Sequence, residues 1–141
     1  MLGIIMSIIA GAAMSVQGVF NTRLGDKTGL YEANVIVSLI SFICALVVML
    51  IMGKGSIGAV REVNKIYLLG GVIGTLITIS VMLSIKNLSP VYATAIILIS
   101  QLTVSAIIDG FGLFDTEQIV FGVKKFIGLG VMIAGIIIFK K

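Results

Sequence analysis

Four long windows of this sequence contain no charged residue. They cover residues 1–22, 33–53, 66–85 and 87–108, and each is 20 to 22 residues long. A helix needs about 20 mostly apolar residues to cross the roughly 30 Å hydrocarbon core of a bilayer. The windows therefore predict four membrane-spanning helices, over about residues 2–22, 33–52, 66–85 and 90–109.

A fifth span is predicted near the end of the chain. Residues 126–139 are free of charge, but at about 1.5 Å per residue they reach only about 21 Å. The preceding segment "DTEQIVFGVKK" offers Asp115 or Thr116 as an N-cap and Gln118 for a capping box. We therefore expect a helix that starts near Glu117 and extends to residue 139, with two lysines reaching the headgroups.

Composition excludes most other fold classes. The 141 residues are 59% hydrophobic and include only ten Lys and Arg and six Asp and Glu, far below the charge content of a soluble domain. The apolar runs are continuous, whereas a membrane β-barrel would alternate in short segments. The prediction is an all-α integral membrane protein, with residues 1–141 forming a single five-helix domain.

Several classes of chemistry find no support. The chain has no His and a single Cys, Cys44, within the second span, so we expect no disulfide, metal site or cofactor. No nucleophile–base or carboxylate pair lies within the spans, so we expect no enzyme activity. The net charge of +4 comes from basic residues near the membrane edges, which favours contact with lipid headgroups rather than nucleic acid.

The connections between spans and the distribution of Lys and Arg indicate how the chain is oriented in the membrane. "KNLSP" predicts a tight turn in which Ser89 caps the fourth span and Pro90 takes its first position. Five crossings leave the two ends of the chain on opposite sides. Each side then carries five Lys and Arg, so the bias that normally fixes orientation is zero. Either the count is too small to inform, or the chain inserts both ways and forms an antiparallel dimer.

The first span carries two carboxamides on one side. Gln17 and Asn21 are four residues apart, about 40° on a helix, and an unpaired amide in hydrocarbon costs several kcal/mol. They either bond across to another helix or line a substrate site. On a neighbouring face, small residues recur every four positions and allow close helix packing: Gly3, Ser7, Gly11 and Ser15.

The fourth span carries a second polar stripe, which comprises Thr94, Gln101, Ser105 and Asp109. Stripes of this kind commonly face a cavity, so all four are candidate site residues. Asp109 is a candidate coupling or titrating group, or alternatively an ordinary interfacial anion.

Glycines in the other spans suit helix contacts. Gly70 and Gly74 form a Gly-x-x-x-Gly pair at the start of the third span, which predicts close packing. Gly128 and Gly135 lie two turns apart in the fifth span and suit a contact within or between chains.

Three segments carry a family resemblance: "GAAMSVQGVFNTRLG", "GGVIG" and "SQLTVSAIIDGFGLF". Together they resemble the YdcZ-like family of the drug/metabolite transporter superfamily, over all five spans. Gly110 stands where that family tends to show His. The fifth span is also similar to the last helix of small multidrug resistance transporters, which pairs two chains, and this makes Gly128 and Gly135 candidate dimer-interface residues.

The resemblance implies a half-sized secondary transporter in a prokaryotic inner membrane, completed by a second copy in opposite orientation or by a related five-helix chain. Small multidrug resistance proteins carry a membrane-embedded Glu on the first helix, whereas this chain has Gln17 there. We therefore expect a small polar substrate, neutral or anionic, held by Gln17, Asn21 and Gln101. The alternatives are a dual-topology passive channel and a structural or regulatory membrane subunit.

Overall fold

The computed structural model describes residues 1–119 and 122–139. These residues form five α-helices, with no strand in the described ranges: α1 (Leu2–Thr28), α2 (Leu30–Met52), α3 (Gly70–Asn87), α4 (Pro90–Phe111) and α5 (Val123–Phe139). Three short 3₁₀ segments cover Ile57–Arg61, Lys65–Leu69 and Leu113–Asp115. The all-helical class is confirmed.

Within the described ranges, four helical stretches are long and apolar enough to cross a membrane: Leu2–Thr28, Leu30–Met52, Lys65–Asn87 and Pro90–Phe111. The fifth is a shorter apolar helix, Phe126–Ile138. Helix α1 has 27 residues, or about 40 Å, so it exceeds the hydrocarbon core by about two turns. Its last turns carry Arg23, Asp26 and Lys27, which suit the headgroup region.

The expected start of the fifth span near Glu117 is wrong. Residues 116–119 are not helical, and α5 begins at Val123. Asp115 has a φ of 62°, which is not the extended backbone of an N-cap. The Gln118 side chain donates to the Gly110 carbonyl oxygen at 3.0 Å, and the Ile119 N–H donates to that of Asp109 at 2.8 Å. The segment therefore satisfies the last carbonyls of α4, which have no partner within the helix.

The chain divides into two compact units, Met1–Asn87 and Leu88–Lys141. The prediction of one five-helix domain stays a prediction. In the first unit, Gly29 alone links α1 to α2, and its φ of 102° lies in the region that favours glycine. This tight link makes α1 and α2 antiparallel neighbours.

Helix α1 packs on α3 through two glycines. A Cβ at Gly18 would lie 2.8 Å from Ile85 Cδ1 and 3.1 Å from Val81 Cγ1, and one at Gly25 would lie 2.7 Å from Met82 Cε. The missing side chains therefore allow the two helices to approach closely.

Buried residues of the first unit cluster at one end. They lie at positions 18, 21 and 22 of α1, 33 and 34 of α2, and 82 and 85 of α3. Beyond this cluster the first four turns of α1 and the last four turns of α2 are exposed, although most of their side chains are apolar. These helices thus hold together near Gly29 and present apolar surface to their surroundings elsewhere.

The start of α4 confirms the sequence prediction. Ser89 is the N-cap, its Oγ accepts the Tyr92 N–H at 3.3 Å, and Pro90 follows at the first helical position. Proline suits this position because its missing N–H would have no helical partner there.

Replacing Ser89 by alanine removes this cap. We expect the Ser89→Ala variant to lose about 1 kcal/mol of unfolding free energy, the usual value of a serine cap. Thermal unfolding in detergent, followed by circular dichroism, measures the change. Ser89→Asp restores a capping oxygen and should recover most of the loss; equal stability of the alanine variant and the wild type would contradict the assignment.

Candidate functional site

The two carboxamides of α1 share a shallow, open groove that is formed by one face of this helix alone. Gln17 and Asn21 line it together with four apolar residues of the same helix, Ala12, Ala13, Val16 and Phe20, and its volume is about 460 Å³. Asn21 is buried, with 7% of its surface exposed, whereas Gln17 is exposed. Neither amide hydrogen-bonds to any residue in the described part of the chain. Both amides are therefore available to a polar ligand or partner.

A second concavity lies within the other unit, between α4 and α5. It has a volume of about 500 Å³, and Ser105 and Asp109 contribute its polar groups. Gly128, the candidate interface glycine, lies in its opposite wall. Two of the four residues of the polar stripe on α4 are thus brought to one cleft.

The other two residues of that stripe lie elsewhere on α4. Gln101 is exposed and Thr94 is half-buried, and neither lines the α4–α5 cleft. Gln17 and Asn21 belong to the first unit and Gln101 to the second. The predicted site that combines these three amides stays a prediction.

An ion pair joins the ends of α1 and α3. Lys86 Nζ lies 3.5 Å from Asp26 Oδ1, and Arg23 lies 3.9 Å from Asp26 Oδ2. Because the groups are substantially exposed, such pairs contribute little stability, typically about 0–1 kcal/mol.

Sequence reasoning missed Asn34 of α2. Only 7% of this residue is exposed, and its buried Oδ1 has no hydrogen-bond partner among the described residues. An unsatisfied buried acceptor costs about 1–3 kcal/mol, so Asn34 belongs with Gln17 and Asn21 as a polar group in need of a donor. Its position in the second charge-free window was a usable signal.

Sequence reasoning also missed which glycines pack. Gly11, Gly18 and Gly25 recur every seven residues, and the latter two contact α3. At Gly3 and Gly11 an added Cβ would meet nothing within 4 Å, and Ser7 and Ser15 are exposed.

The hydroxyls of these two serines bond their own helix, at 2.9 Å to the Gly3 carbonyl oxygen and 3.2 Å to that of Gly11. The predicted packing of this stripe on another helix stays a prediction.

The remaining candidate glycines are open as well. Gly70, Gly74, Gly128 and Gly135 have no atom within 4 Å of an added Cβ. Their roles in helix packing and in a dimer interface also stay predictions. Within the described ranges, no group of three or more His, Cys, Asp or Glu side chains could hold a metal ion.

Four long apolar helices and a shorter one define a multi-pass helical membrane protein. Residues 2–138 match the family described as "Putative inner membrane exporter, YdcZ". The chain belongs to this family, as the three sequence segments indicated. Comparisons with curated proteins and with solved structures found no match.

Proposed function

We propose that the chain is half of a secondary transporter of the drug/metabolite transporter type. It works as an antiparallel dimer, by alternating access, and moves a small polar molecule that is neutral or anionic. Family membership supports export across an inner membrane.

The observation that carries the proposal is the groove on α1. Gln17 and Asn21 lie in a charge-free segment of 22 residues, they share one groove, and neither bonds to a described residue. In hydrocarbon each unpaired amide would cost several kcal/mol. A hydrated substrate site satisfies both groups without requiring a fixed partner helix.

The groove also supports the substrate class. Its lining has two amides and four apolar residues and no carboxylate. A buried cation there would have no counter-charge, which makes its desolvation unfavourable. Amides both donate and accept hydrogen bonds, so they suit hydroxyl, carbonyl and carboxylate groups.

Half-size and charge balance support the antiparallel dimer. Alternating access in many transporters comes from two inverted repeats that move against each other around a site near the midplane. Five helices supply one such repeat. The equal division of Lys and Arg, five on each side, lets the same sequence supply the second repeat in the opposite orientation.

Reporters at the C-terminus test this assembly. We fuse the chain to reporters that are active only inside or only outside the cytoplasm, and we expect comparable signals from both because the charge bias is zero. The control adds three lysines to the 53–65 connection, which should bias insertion and leave one signal. A single signal from the unmodified chain would rule out dual insertion and require a differently oriented partner chain.

A further inference from the structure

The α4–α5 cleft has the size of a ligand site. Small-molecule sites commonly enclose about 300–1,000 Å³, and this cleft has a volume of about 500 Å³. All of its lining belongs to the second unit: Leu102, Ser105, Ala106, Asp109, Gly128, Leu129 and Met132. It shares no lining residue with the groove on α1.

The cleft is polar at one end and apolar along its length. Asp109 lies in the last turn of α4, Ser105 one turn before it, and Leu102 two turns before it. Seven residues of helix separate Asp109 from Leu102 by about 10 Å. The facing wall, from Leu129 to Met132 on α5, is apolar. A ligand that fits must have a polar head and an apolar body.

The charge at the polar end selects a cation. The Asp109 carboxylate lies in the last turn of α4, and it is the one ionisable side chain among the residues that line the cleft. Asp26 pairs with Arg23 and Lys86, whereas Asp109 forms no ion pair with any side chain that the structure describes. The carboxylate therefore attracts a positively charged head group and repels an anionic one.

We propose that the α4–α5 cleft binds a single-chain amphiphilic cation. Its ammonium group pairs with the Asp109 carboxylate, the Ser105 hydroxyl accepts a further N–H, and its apolar chain lies between Leu102 and Met132. Asp109 is partly buried, so the pair forms in partly desolvated surroundings, where an ion pair is stronger than in water. The site concerns binding and does not rest on the proposed transport cycle.

Photolabelling tests the site. The full-length protein in nanodiscs of zwitterionic lipid is exposed to a photoreactive alkylammonium ion, and to an alkanol and an alkyl sulfate of the same chain length. We expect the ammonium compound to label residues 102–109 and 128–132 and the other two to label them weakly. Asp109→Asn should reduce ammonium labelling at least about tenfold, because charge-assisted hydrogen bonds contribute about 1.5–3 kcal/mol.

Two further variants make the result specific. Asp26→Asn removes a carboxylate that is already paired with Lys86, and it should leave labelling of the cleft unchanged. Ala106→Phe fills the cleft and should suppress labelling while leaving Asp109 in place. Size-exclusion profiles confirm that each variant is folded.

Three outcomes would overturn the proposal. Equal labelling by the alkanol would mean an apolar crevice without charge selection, and unchanged labelling of Asp109→Asn would exclude the ion pair. No labelling of the wild type would mean that another surface, such as a second copy, covers the cleft. None of these results bears on dual insertion or on the Gln17 groove, so the two proposals fail separately.

Discussion

Gln17→Leu is expected to weaken the binding of polar solutes while leaving the fold and the assembly intact. The substitution replaces a carboxamide of the α1 groove by an apolar side chain of similar size. A hydrogen bond to an uncharged partner contributes about 0.5–1.5 kcal/mol, so we expect the affinity for the solute to fall by up to about tenfold. Because Gln17 is exposed and bonds to no described residue, stability should change little.

A panel of small polar solutes, neutral and anionic, provides the measurement. Solutes that raise the melting temperature of the purified wild type are identified first, since a ligand that binds only the folded state stabilises it. The stabilisation by these solutes should be clearly smaller in Gln17→Leu, and uptake of the same radiolabelled solute into proteoliposomes should fall in parallel. Met14→Leu is the matched control, because Met14 is exposed on α1 and does not line the groove.

Two results would contradict the assignment of the groove. If Gln17→Leu no longer assembled, the amide would hold helices together rather than bind solute. If uptake were unaffected, the substrate would bind elsewhere. Turnover far above about 10³ per second would indicate a passive channel, because the conformational steps of a carrier occur on microsecond to millisecond timescales and limit its rate.

Gly18→Leu is expected to cause the largest loss of stability. Even the Cβ would lie 2.8 Å from Ile85 and 3.1 Å from Val81, and the rest of the leucine side chain has no space. Val81 is β-branched and has few alternative rotamers, so it cannot move aside easily. Overpacking of this kind costs about 1–3 kcal/mol. We expect the contact between α1 and α3 to open and the melting temperature in detergent to fall clearly.

Gly11→Leu is a closely matched control. Gly11 lies seven residues before Gly18, on nearly the same face of α1, and an added Cβ there meets nothing within 4 Å. Because the added side chain disturbs no contact within one protomer, the variant should have the same melting temperature as the wild type. A large loss in Gly11→Leu together with none in Gly18→Leu would show that α1 packs differently. Loss of the dimer alone in Gly11→Leu would identify the Gly3–Ser15 stripe as its interface.

The spans could be predicted because the bilayer constrains them locally. A spanning segment must be about 20 residues long and must satisfy its backbone hydrogen bonds internally. Charge-free windows mark these segments directly, so α2 and α4 end within three residues of their expected limits. The Ser89 and Pro90 cap was predictable for the same reason, because its atoms are neighbours in sequence.

The fifth helix shows where local reasoning fails. The sequence around Gln118 satisfies a capping pattern, but Gln118 and Ile119 instead satisfy carbonyl oxygens at the end of α4. The free N–H groups at the start of α5 and the free carbonyl oxygens at the end of α4 could both be satisfied by the polar groups of this segment. The spacing of residues in the sequence is compatible with either set of hydrogen bonds. Which set forms depends on where the chain turns, at Gly112 and Phe114.

Sequence by itself determined that this chain is an all-helical membrane protein of the YdcZ family, with amides on one side of its first helix. Only the tertiary structure decided that Gly18 and Gly25, rather than Gly3 and Gly11, pack on α3, that Asp26 meets Lys86, and that Asn34 is buried. The physical reason is how far apart in the sequence the interacting residues lie. Hydrophobic length and capping act within one segment, whereas packing and ion pairing depend on which faces of distant segments meet.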